Sequence, residues 1–379
     1  MSLPTNSGLH PDTQMKTEIP VPARNSHDPD SIPLQPLGTG AENPFAALSP
    51  DALFLVWGPP QLGPRSQVFA RELGIAELHF VHSSLRRGPL TAPFRYAYQA
   101  LQTLLLLFRK RPKIVFVQSP PSWAVLFVYL YCALTGARYL IDAHSAAFQY
   151  VYWTRPGWLH TFLARRAVVT IVTNETFARL IEKRRAAAFI LRDIPTRFPR
   201  TASYPLNGRF NVAVVNTFSP DEPLAEILEA AAGLEDVQFY ITGKKSHASR
   251  QSLADAPANV HFTDFLPDPS YYALLASCHA VMCLTTRDDT MQRGACEALS
   301  LGRPIITSDW PLLKSYFAHG TVHVPNSSSG ILRGVWEMRA NYRRYEAGMG
   351  RLQRLQREEW QSKLEALSRI LRASAPPGN

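Results

Sequence analysis

The sequence contains few cysteines and no hydrophobic run of membrane-spanning length. Its four cysteines lie at positions 132, 278, 283 and 296, without paired spacing, so neither a disulfide framework nor a zinc ribbon is indicated. The longest apolar run, residues 123–135, is shorter than the roughly 20 residues that a spanning helix needs. No basic segment followed by an apolar core is visible near the first residue, so we expect no secretory signal. These absences favour the reducing cytoplasm.

Acidic residues are scarce in one stretch of the chain. Residues 51–200 hold 20 Lys and Arg against 7 Asp and Glu, whereas residues 1–50 carry a net charge of −3 and residues 201–379 are neutral. The whole formal charge of +10 therefore comes from one region. Such polarity predicts an anionic partner, and nucleic acid, a phospholipid surface and a phosphate-bearing substrate are the three candidates.

Two regions of alternating strand and helix patterns follow a proline-rich start. Nine of the 31 prolines lie in residues 1–50, and we expect residues 1–48 to form a disordered tail because they hold too little apolar surface to fold. From residue 52, six short apolar runs alternate with helical patterns, and five more follow from residue 210. This pattern predicts an α/β fold of two Rossmann-like, doubly wound domains at 49–200 and 201–345, with a C-terminal helix and tail at 346–379.

The most informative segment joins a buried strand to a helix in the second domain. The strand ends at Thr285, a polar loop follows, and the helix carries Glu297 and ends at Gly302. Asp289 and Glu297 lie eight residues apart, so both carboxylates can face one crevice. There they would accept hydrogen bonds from sugar hydroxyls, while amides at the helix start meet phosphate. In the structural alternative, Asp289 caps the helix and Glu297 satisfies a backbone amide.

The motif EALSLGRPII at 297–306, with an acidic residue eight positions before its Glu, resembles the E-x7-E segment of glycosyltransferase family 4. That family has two facing Rossmann-like domains, the GT-B arrangement, and the resemblance implies this fold. It also implies that Glu297 holds the ribose of a nucleotide-sugar donor. Asp289, where the family has Glu, would contact the donor sugar.

Other segments resemble the chitobiosyldiphosphodolichol β-mannosyltransferase family more specifically, and they occur in the same order. They are GPRS at 63–66, QSPP at 118–121, IDAHS at 141–145, RDIP at 192–195, TFSPDE at 217–222 and ITGKK at 241–245. The resemblance implies transfer of mannose from GDP-mannose to a polyprenyl-pyrophosphate sugar, with inversion; retention, as in family 4, stays open. It assigns Arg65, Ser66 and Gln118 to an acceptor or phosphate loop, and Thr217 and Ser219 to the donor site.

Binding a diphosphate requires positive charge. Family 4 enzymes commonly have an Arg and a Lys just after the first strand of the second domain, and this sequence lacks that pair. We therefore expect Lys244, which follows a strand end at Gly243, or Arg293 to supply the charge. A solvated lysine pair at 244–245 is the alternative.

His144 and Asp142 are the candidate catalytic residues. His144 follows a strand that ends near Asp142, so the imidazole can meet the donor sugar while Asp142 holds its tautomer or acts as a base. A lone histidine at a strand end is more often structural, but the motif resemblance favours catalysis. No His, Cys and Asp cluster suits a metal, and the Asp288-Asp289 pair is not a D-x-D motif. We expect no metal and no cofactor besides the donor substrate.

Residues 94–111 form a basic amphipathic pattern. Apolar side chains recur at helical spacing from Phe94 to Phe108, and basic residues follow at 109–113. The segment predicts either peripheral contact with an anionic membrane or a core helix with basic residues at its end. The positive charge of the first domain favours the membrane, and with it the inner face of the cytoplasmic membrane.

These observations together predict a metal-independent hexosyltransferase that moves a sugar, mannose favoured, from a nucleotide diphosphate to a lipid-linked or polysaccharide-precursor acceptor. A nucleotide-sugar epimerase or hydrolase of the same fold is one alternative. A non-catalytic sugar-nucleotide binder is another. A nucleic-acid-binding protein is disfavoured because no recognition helix or RNA-binding signature is present.

Overall fold

The computed structural model describes residues 45, 48–59, 64–85, 88, 90–149, 155–193, 203–208 and 210–374. Most of the predicted tail, Gly63 of the predicted phosphate loop and the last two residues of the RDIP segment lie outside the described residues. Phe45 does not fit the predicted tail. Its side chain is buried against Phe116, with ring centroids 6.2 Å apart, so this residue belongs to the core of the first domain.

The first domain is built on a six-stranded parallel sheet in the order β2-β1-β3-β4-β5-β6. Its strands consist mostly of buried apolar residues, as expected for a sheet covered on both faces. They are β1 (Ala52–Trp57), β2 (Glu77–Val81), β3 (Ile114–Ser119), β4 (Arg138–Ala143), β5 (Thr170–Val172) and β6 (Ala188–Ile190).

Helices cover both faces of this sheet. On one face, α2 (Ala92–Lys110), α3 (Ser122–Thr135) and α5 (Gly157–Arg166) form a layer with α6 (Glu175–Lys183). On the other face lies α1 (Pro64–Glu72), and a short α4 (Ala146–Gln149) follows β4. The chain adds β2 on one side of β1 and then β3 and β4 on the other side. The connections therefore diverge at β1 and β3, which leaves a crevice at the carboxyl ends of these two strands.

The second domain contains a six-stranded parallel sheet in the order β12-β11-β10-β7-β8-β9. Counted from its own first strand, this order is that of a dinucleotide-binding Rossmann sheet, which reverses between β7 and β10. The strands are β7 (Phe210–Val214), β8 (Val237–Thr242), β9 (Val260–Asp264), β10 (Ala280–Cys283), β11 (Ile305–Ser308) and β12 (Thr321–Val324).

The helices of the second domain alternate with these strands. They are α7 (Leu224–Ala232), α8 (Arg250–Ala254), α9 (Asp268–Ser277), α10 (Arg293–Leu301), α11 (Pro311–Tyr316) and α12 (Ser328–Ala340). All eleven predicted strands are present, six in the first domain and five in the second. Strand β12 was not predicted, because this four-residue edge strand contains His323 and presents too short an apolar run.

The last helix, α13 (Tyr342–Ala373), joins the cores of the two domains. Met349 and Leu352 pack in the second domain, whereas four residues of its second half pack in the first: Trp360, Leu364, Leu367 and Leu371. The Trp360 ring lies 5.2 Å from that of Phe69 on α1. The C-terminal helix was predicted to start at 346, but it starts at Tyr342, directly after Asn341. Within the described residues, no helix has the length and apolar character needed to cross a membrane.

Candidate functional site

Asp142 lies at the end of β4 and its side chain is 1% exposed. Its carboxylate accepts a hydrogen bond from His144 Nε2 at 3.1 Å and pairs with Arg65 Nε at 3.5 Å. Burial alone would raise the pKa of Asp142, but the charges of Arg65 and His144 outweigh it and hold that pKa below its ordinary value. Asp142 is therefore held in its ionised form by these two groups, and it accepts the hydrogen bond that orients the His144 ring. This geometry favours the tautomer-holding role over the role of base.

His144 is the accessible member of this pair. Its backbone amide donates to the Ser119 carbonyl at 2.8 Å, which ties the end of β4 to the end of β3. The imidazole is about one-fifth exposed, in contrast to the buried carboxylate behind it. A histidine held by a buried carboxylate and open on its other side has the arrangement of a general acid or base.

Arg65, in the first turn of α1, is held by protein groups. It forms ion pairs with Asp142 and Asp193, and its Nη2 donates to the Leu191 carbonyl at 2.9 Å. Burial opposes its charge, but these carboxylates outweigh the burial and raise the pKa of Arg65. The predicted contact with a phosphate or acceptor would have to displace Asp193, the more exposed of the two carboxylates.

Ser66 and Gln118, which the resemblance assigns to one acceptor or phosphate loop, lie in direct contact. Ser66 Oγ donates to Gln118 Oε1 at 2.8 Å, and both side chains are buried. This bond fastens the start of α1 to the end of β3, beside the crevice of the first domain. Their predicted contact with the acceptor stays a prediction.

Glu297 lies on α10 and is 9% exposed. Its two carboxylate oxygens accept hydrogen bonds from Tyr271 Oη at 2.7 Å and Arg293 Nε at 2.9 Å. Burial, reinforced by the Glu297 charge, raises the pKa of Tyr271 well above its ordinary value, so the phenol stays a neutral donor. Tyr271 was not among the residues that sequence reasoning selected, because it lies on α9 and no motif spacing links it to Glu297.

The purely structural interpretation of this segment is wrong in both parts. The N-cap of α10 is Gln292, which makes no side-chain cap, and Asp289 lies half-buried in the turn before it. Glu297 binds side chains rather than a backbone amide. The predicted end of the helix at Gly302 is confirmed.

Gly294 explains why α10 starts at the reversal point of the second sheet. A Cβ atom at this position would lie 2.8 Å from both Cys283 Sγ and Val215 Cβ, closer than real contacts allow. The first turn of α10 therefore packs directly on the ends of β10 and β7. Helix amides at such a point are suited to bind a phosphate.

The loop after β7 is organised by two acidic residues. Glu222 accepts hydrogen bonds from the amides of Thr217 at 2.8 Å and Ser219 at 3.0 Å. Asp221 accepts from Ser219 Oγ at 2.6 Å and from Thr285 Oγ1 at 2.9 Å, which joins this loop to the one after β10. The predicted donor-binding groups of Thr217 and Ser219 are thus used within the loop.

Gly243 and Lys244 directly follow strand β8, beside this loop. Gly243 has φ +107°, and a Cβ atom there would lie 2.3 Å from the Asn216 carbonyl oxygen, so only glycine lets the two loops approach. Lys244 Nζ lies 5.8 Å from the centre of the Phe265 ring. Among the described residues, no contact joins Lys244 to Glu297 or His144, and its role as the diphosphate-binding cation stays a prediction.

Helix α11 of the second domain contacts the charged cluster of the first domain. The thiol of Cys296 has a pKa well above its ordinary value, chiefly because it is buried, and the charges of Asp193, Glu297 and Arg65 also act on it. Tyr316 on α11 donates a hydrogen bond to the Asp193 carbonyl. The elements that carry Arg65 and Glu297 belong to different domains, and the contact between Tyr316 and Asp193 marks where these domains meet. Among the described residues, no group of three His, Cys, Asp or Glu side chains could hold a metal ion.

Comparison with known proteins agrees with this geometry. Residues 210–334 match the family model of group 1 glycosyl transferases. The second domain is thus similar to the group 1 glycosyl transferases, and the two-domain fold is of the GT-B type. The matched segment covers the second domain, which carries Glu297. A comparison with curated protein sequences finds no match.

Solved structures share the GT-B fold over both domains. Sucrose-phosphate synthase from Thermosynechococcus elongatus is 12% identical with a TM-score of 0.61, covering 85% of this chain and 98% of its own. Anabaena HepE in complex with UDP and glucose is 11% identical with a TM-score of 0.60, covering 86% and 100%. A glycosyltransferase from Rickettsia africae is 12% identical with a TM-score of 0.60, covering 85% and 99%. At these identities the likeness establishes the fold alone.

Proposed function

We propose that this GT-B glycosyltransferase moves a hexose, with mannose favoured, from a nucleotide diphosphate sugar to a lipid-linked or polysaccharide-precursor acceptor at the cytoplasmic face of a membrane. The observation that carries the proposal is the buried Glu297 carboxylate on α10, at the reversal point of the second sheet, where Tyr271 and Arg293 bind it. A carboxylate in this position suits the hydroxyls of a nucleotide sugar, and the donor therefore binds to the second domain.

The donor site uses groups that can exchange partners. The Arg293 side chain is 55% exposed, although its Nε binds Glu297. An incoming ribose hydroxyl can replace that donor on the carboxylate, which leaves the guanidinium to meet the diphosphate. Lys244 and the amides of the first turn of α10 supply the remaining positive potential, and Asp289 contacts the sugar.

His144 provides the chemistry from the first domain. Held by Asp142, its imidazole either takes the proton from the acceptor hydroxyl or stabilises the positive charge that develops on the donor sugar. The bond from the anomeric carbon to the diphosphate breaks as the bond to the acceptor oxygen forms, and positively charged groups of the second domain stabilise the leaving diphosphate. Closure of the two domains excludes water, so the acceptor reacts in its place. No metal is required in this scheme.

The identity of the nucleotide base in the sugar donor distinguishes two expectations, one from the motif resemblance and one from the structural neighbours. The mannosyltransferase resemblance implies GDP, whereas HepE is in complex with UDP and glucose. A thermal-shift screen with GDP, UDP, ADP and their sugars identifies the base, and we expect stabilisation by one nucleotide that Glu297→Gln removes. Stabilisation by none of them, with the protein folded, would contradict the proposal.

Turnover separates the proposed function from the same-fold alternatives. Labelled nucleotide sugar is incubated with the protein, with and without a lipid extract. A transferase consumes the donor only when an acceptor is present, an epimerase or hydrolase needs the donor alone, and a pure binder consumes nothing. We expect labelled product in the lipid fraction.

A further inference from the structure

Helix α2 exposes a second apolar face that no part of the described chain covers. Five large side chains recur at intervals of four, three, four and three residues and are between 46% and 72% exposed: Phe94, Tyr98, Leu101, Leu105 and Phe108. The opposite face of the helix buries Gln99, Ala100, Thr103 and Leu107 in the domain. The alternative interpretation of residues 94–111 as a core helix is therefore correct only for the face of α2 that packs on the sheet. At 1.5 Å per residue the exposed stripe is about 21 Å long.

Helices α3 and α5 extend this stripe into a broad surface. α3 packs between α2 and α5 in the same layer. It exposes Trp123, Leu130 and Leu134, and α5 exposes Trp158. Nine of the fifteen exposed large hydrophobic side chains among the described residues thus lie on these three helices. We name these nine side chains the outer apolar face. Concentrations of this kind mark interaction surfaces, because soluble monomers rarely expose large apolar patches.

The charged residues around the outer apolar face indicate which kind of partner can bind there. Helices α2, α3 and α5 contain no Asp or Glu, and they carry five basic residues: Arg95, Arg109, Lys110, Arg165 and Arg166. Between Glu77 and Glu175 the only acidic residue of the sequence is Asp142, which is buried in the cleft. A second copy docked on this face would oppose one basic surface to another, which disfavours self-association. An apolar face with basic residues and no acidic ones matches an anionic lipid surface.

Three aromatic residues show which end of the outer apolar face lies nearest to the cleft. In a parallel α/β domain each helix starts near the carboxyl end of the preceding strand, which is the end that borders the cleft. Phe94, Trp123 and Trp158 all lie in the first turns of their helices. They therefore lie along the cleft end of the layer. Tryptophan side chains favour the level of the lipid headgroups, where one edge is apolar and the other wet.

We propose that the outer apolar face docks on an anionic membrane, with Phe94, Trp123 and Trp158 at the headgroup level and the cleft opening beside the bilayer. This orientation presents the catalytic cleft to a hydroxyl carried by a membrane lipid, so the chain takes its acceptor directly from the bilayer surface. That last consequence rests on the proposed function, whereas the docking itself does not.

Vesicle binding tests the docking. The full-length protein is sedimented with phosphatidylcholine vesicles, with and without anionic phosphatidylglycerol. We expect binding to require the anionic lipid. The double variant Leu101→Glu, Leu105→Glu should lower the partition coefficient at least about tenfold, because two apolar side chains no longer enter the lipid and two charges oppose it. The control is Trp336→Glu on α12 of the second domain, which is 62% exposed and should bind like the wild type.

Quenching of tryptophan fluorescence by brominated lipids tests the orientation. We expect quenching of the wild type on anionic vesicles, loss of most of it in Trp123→Phe, Trp158→Phe, and wild-type quenching in Trp336→Phe. Equal quenching in all three proteins would overturn the orientation. Failure of the wild type to bind anionic vesicles, or a wild-type dimer in analytical ultracentrifugation that Leu101→Glu, Leu105→Glu converts to monomer, would overturn the docking.

The vesicle experiments and the nucleotide experiments test the docking and the proposed function separately. Thermal shifts with nucleotide sugars report the donor site of the second domain, and the substitutions on α2 should leave them unchanged. Nucleotide binding without vesicle binding would refute the docking alone. Vesicle binding without any nucleotide response would refute the proposed function alone.

Discussion

The two halves of the cleft each hold a buried carboxylate between two donors, but the donors differ. Asp142 in the first domain is paired with Arg65 and His144, and Arg65 is itself held by Asp193. Glu297 in the second domain is bound by the neutral Tyr271 and by the half-exposed Arg293. The first carboxylate is therefore fixed by its ion pair with the buried Arg65, which cannot be broken without cost, while the second has one donor that can turn to solvent or to a ligand.

This difference assigns different tasks to the two carboxylates. A fully paired, buried carboxylate such as Asp142 orients its neighbour and contacts nothing from outside. A carboxylate with one exchangeable donor, such as Glu297, is suited to bind hydroxyl groups that come and go with each turnover. The comparison thus predicts that substitutions in the first domain affect rate and stability, whereas those around Glu297 affect donor affinity.

The largest effect is expected from His144→Ala. General acid or base catalysis contributes about 10²- to 10⁴-fold, so turnover should fall by that factor while nucleotide affinity is unchanged. Single-turnover kinetics and a nucleotide titration measure the two quantities separately. His261→Ala, on β9 of the second domain, is the matched control and should keep its activity. Wild-type turnover in His144→Ala would remove this residue from the mechanism.

Asp142→Asn should be the most destabilising change in the cleft. Removing one partner of a buried ion pair costs up to about 3–5 kcal/mol, because Arg65 keeps its charge and only the more exposed carboxylate of Asp193 still balances it. Urea unfolding measures the loss. Glu77→Gln is the control, since its pairs with Lys110 and His79 are exposed and worth about 1 kcal/mol or less. Equal losses in the two variants would show that Asp142 is not held as described.

The stability contributed by Asp142 also depends on pH. Its pKa in the folded protein lies below the ordinary value, which is about 3.9 for an unfolded chain. The contribution is therefore complete above the unfolded-state pKa and is lost as the pH falls through the lower folded-state value. The free energy of unfolding of the wild type should decline with acid in this range more steeply than that of Asp142→Asn.

Glu297→Gln should weaken nucleotide binding without unfolding the protein. A hydrogen bond to a charged group contributes about 1.5–3 kcal/mol, which corresponds to a tenfold or larger rise in Kd. Tyr271→Phe removes only a positioning donor and should raise Kd by a smaller factor. Isothermal titration with the nucleotide found by thermal shift measures both. Glu346→Gln on α13 is the surface control. An equal Kd in all three variants would contradict the proposal that Glu297 binds the nucleotide sugar.

The strand pattern could be predicted from the sequence because each strand is a short apolar run between polar turns. The same is true of the end of α10 at Gly302, since a residue in the left-handed region is a local signal. The position of His144 beside Asp142 could also be predicted, because the two residues lie on one strand end.

Contacts between distant parts of the chain could not be predicted in this way. Arg65 was expected at a phosphate, yet it binds Asp142 and Asp193, which lie 77 and 128 residues away. Trp360 enters the core of the first domain although its helix begins in the second. Such partners follow from how the elements pack, and no local spacing encodes that packing.

The smallest effect is expected from Gly294→Ala, which tests how the Glu297 half is built. The added Cβ would lie 2.8 Å from Cys283 Sγ and Val215, and such overpacking costs about 1–3 kcal/mol. Because α10 must move away from β7 and β10, the nucleotide Kd should rise as well. Gly350→Ala on α13 is the matched control: its nearest neighbour is 4.0 Å away, and alanine favours a helix by about 0.5–1 kcal/mol, so stability should rise. If both variants are more stable than the wild type, the close packing of α10 on β7 and β10 does not determine the position of Glu297. The difference between Asp142 and Glu297 would then be explained only by the groups that donate hydrogen bonds to them.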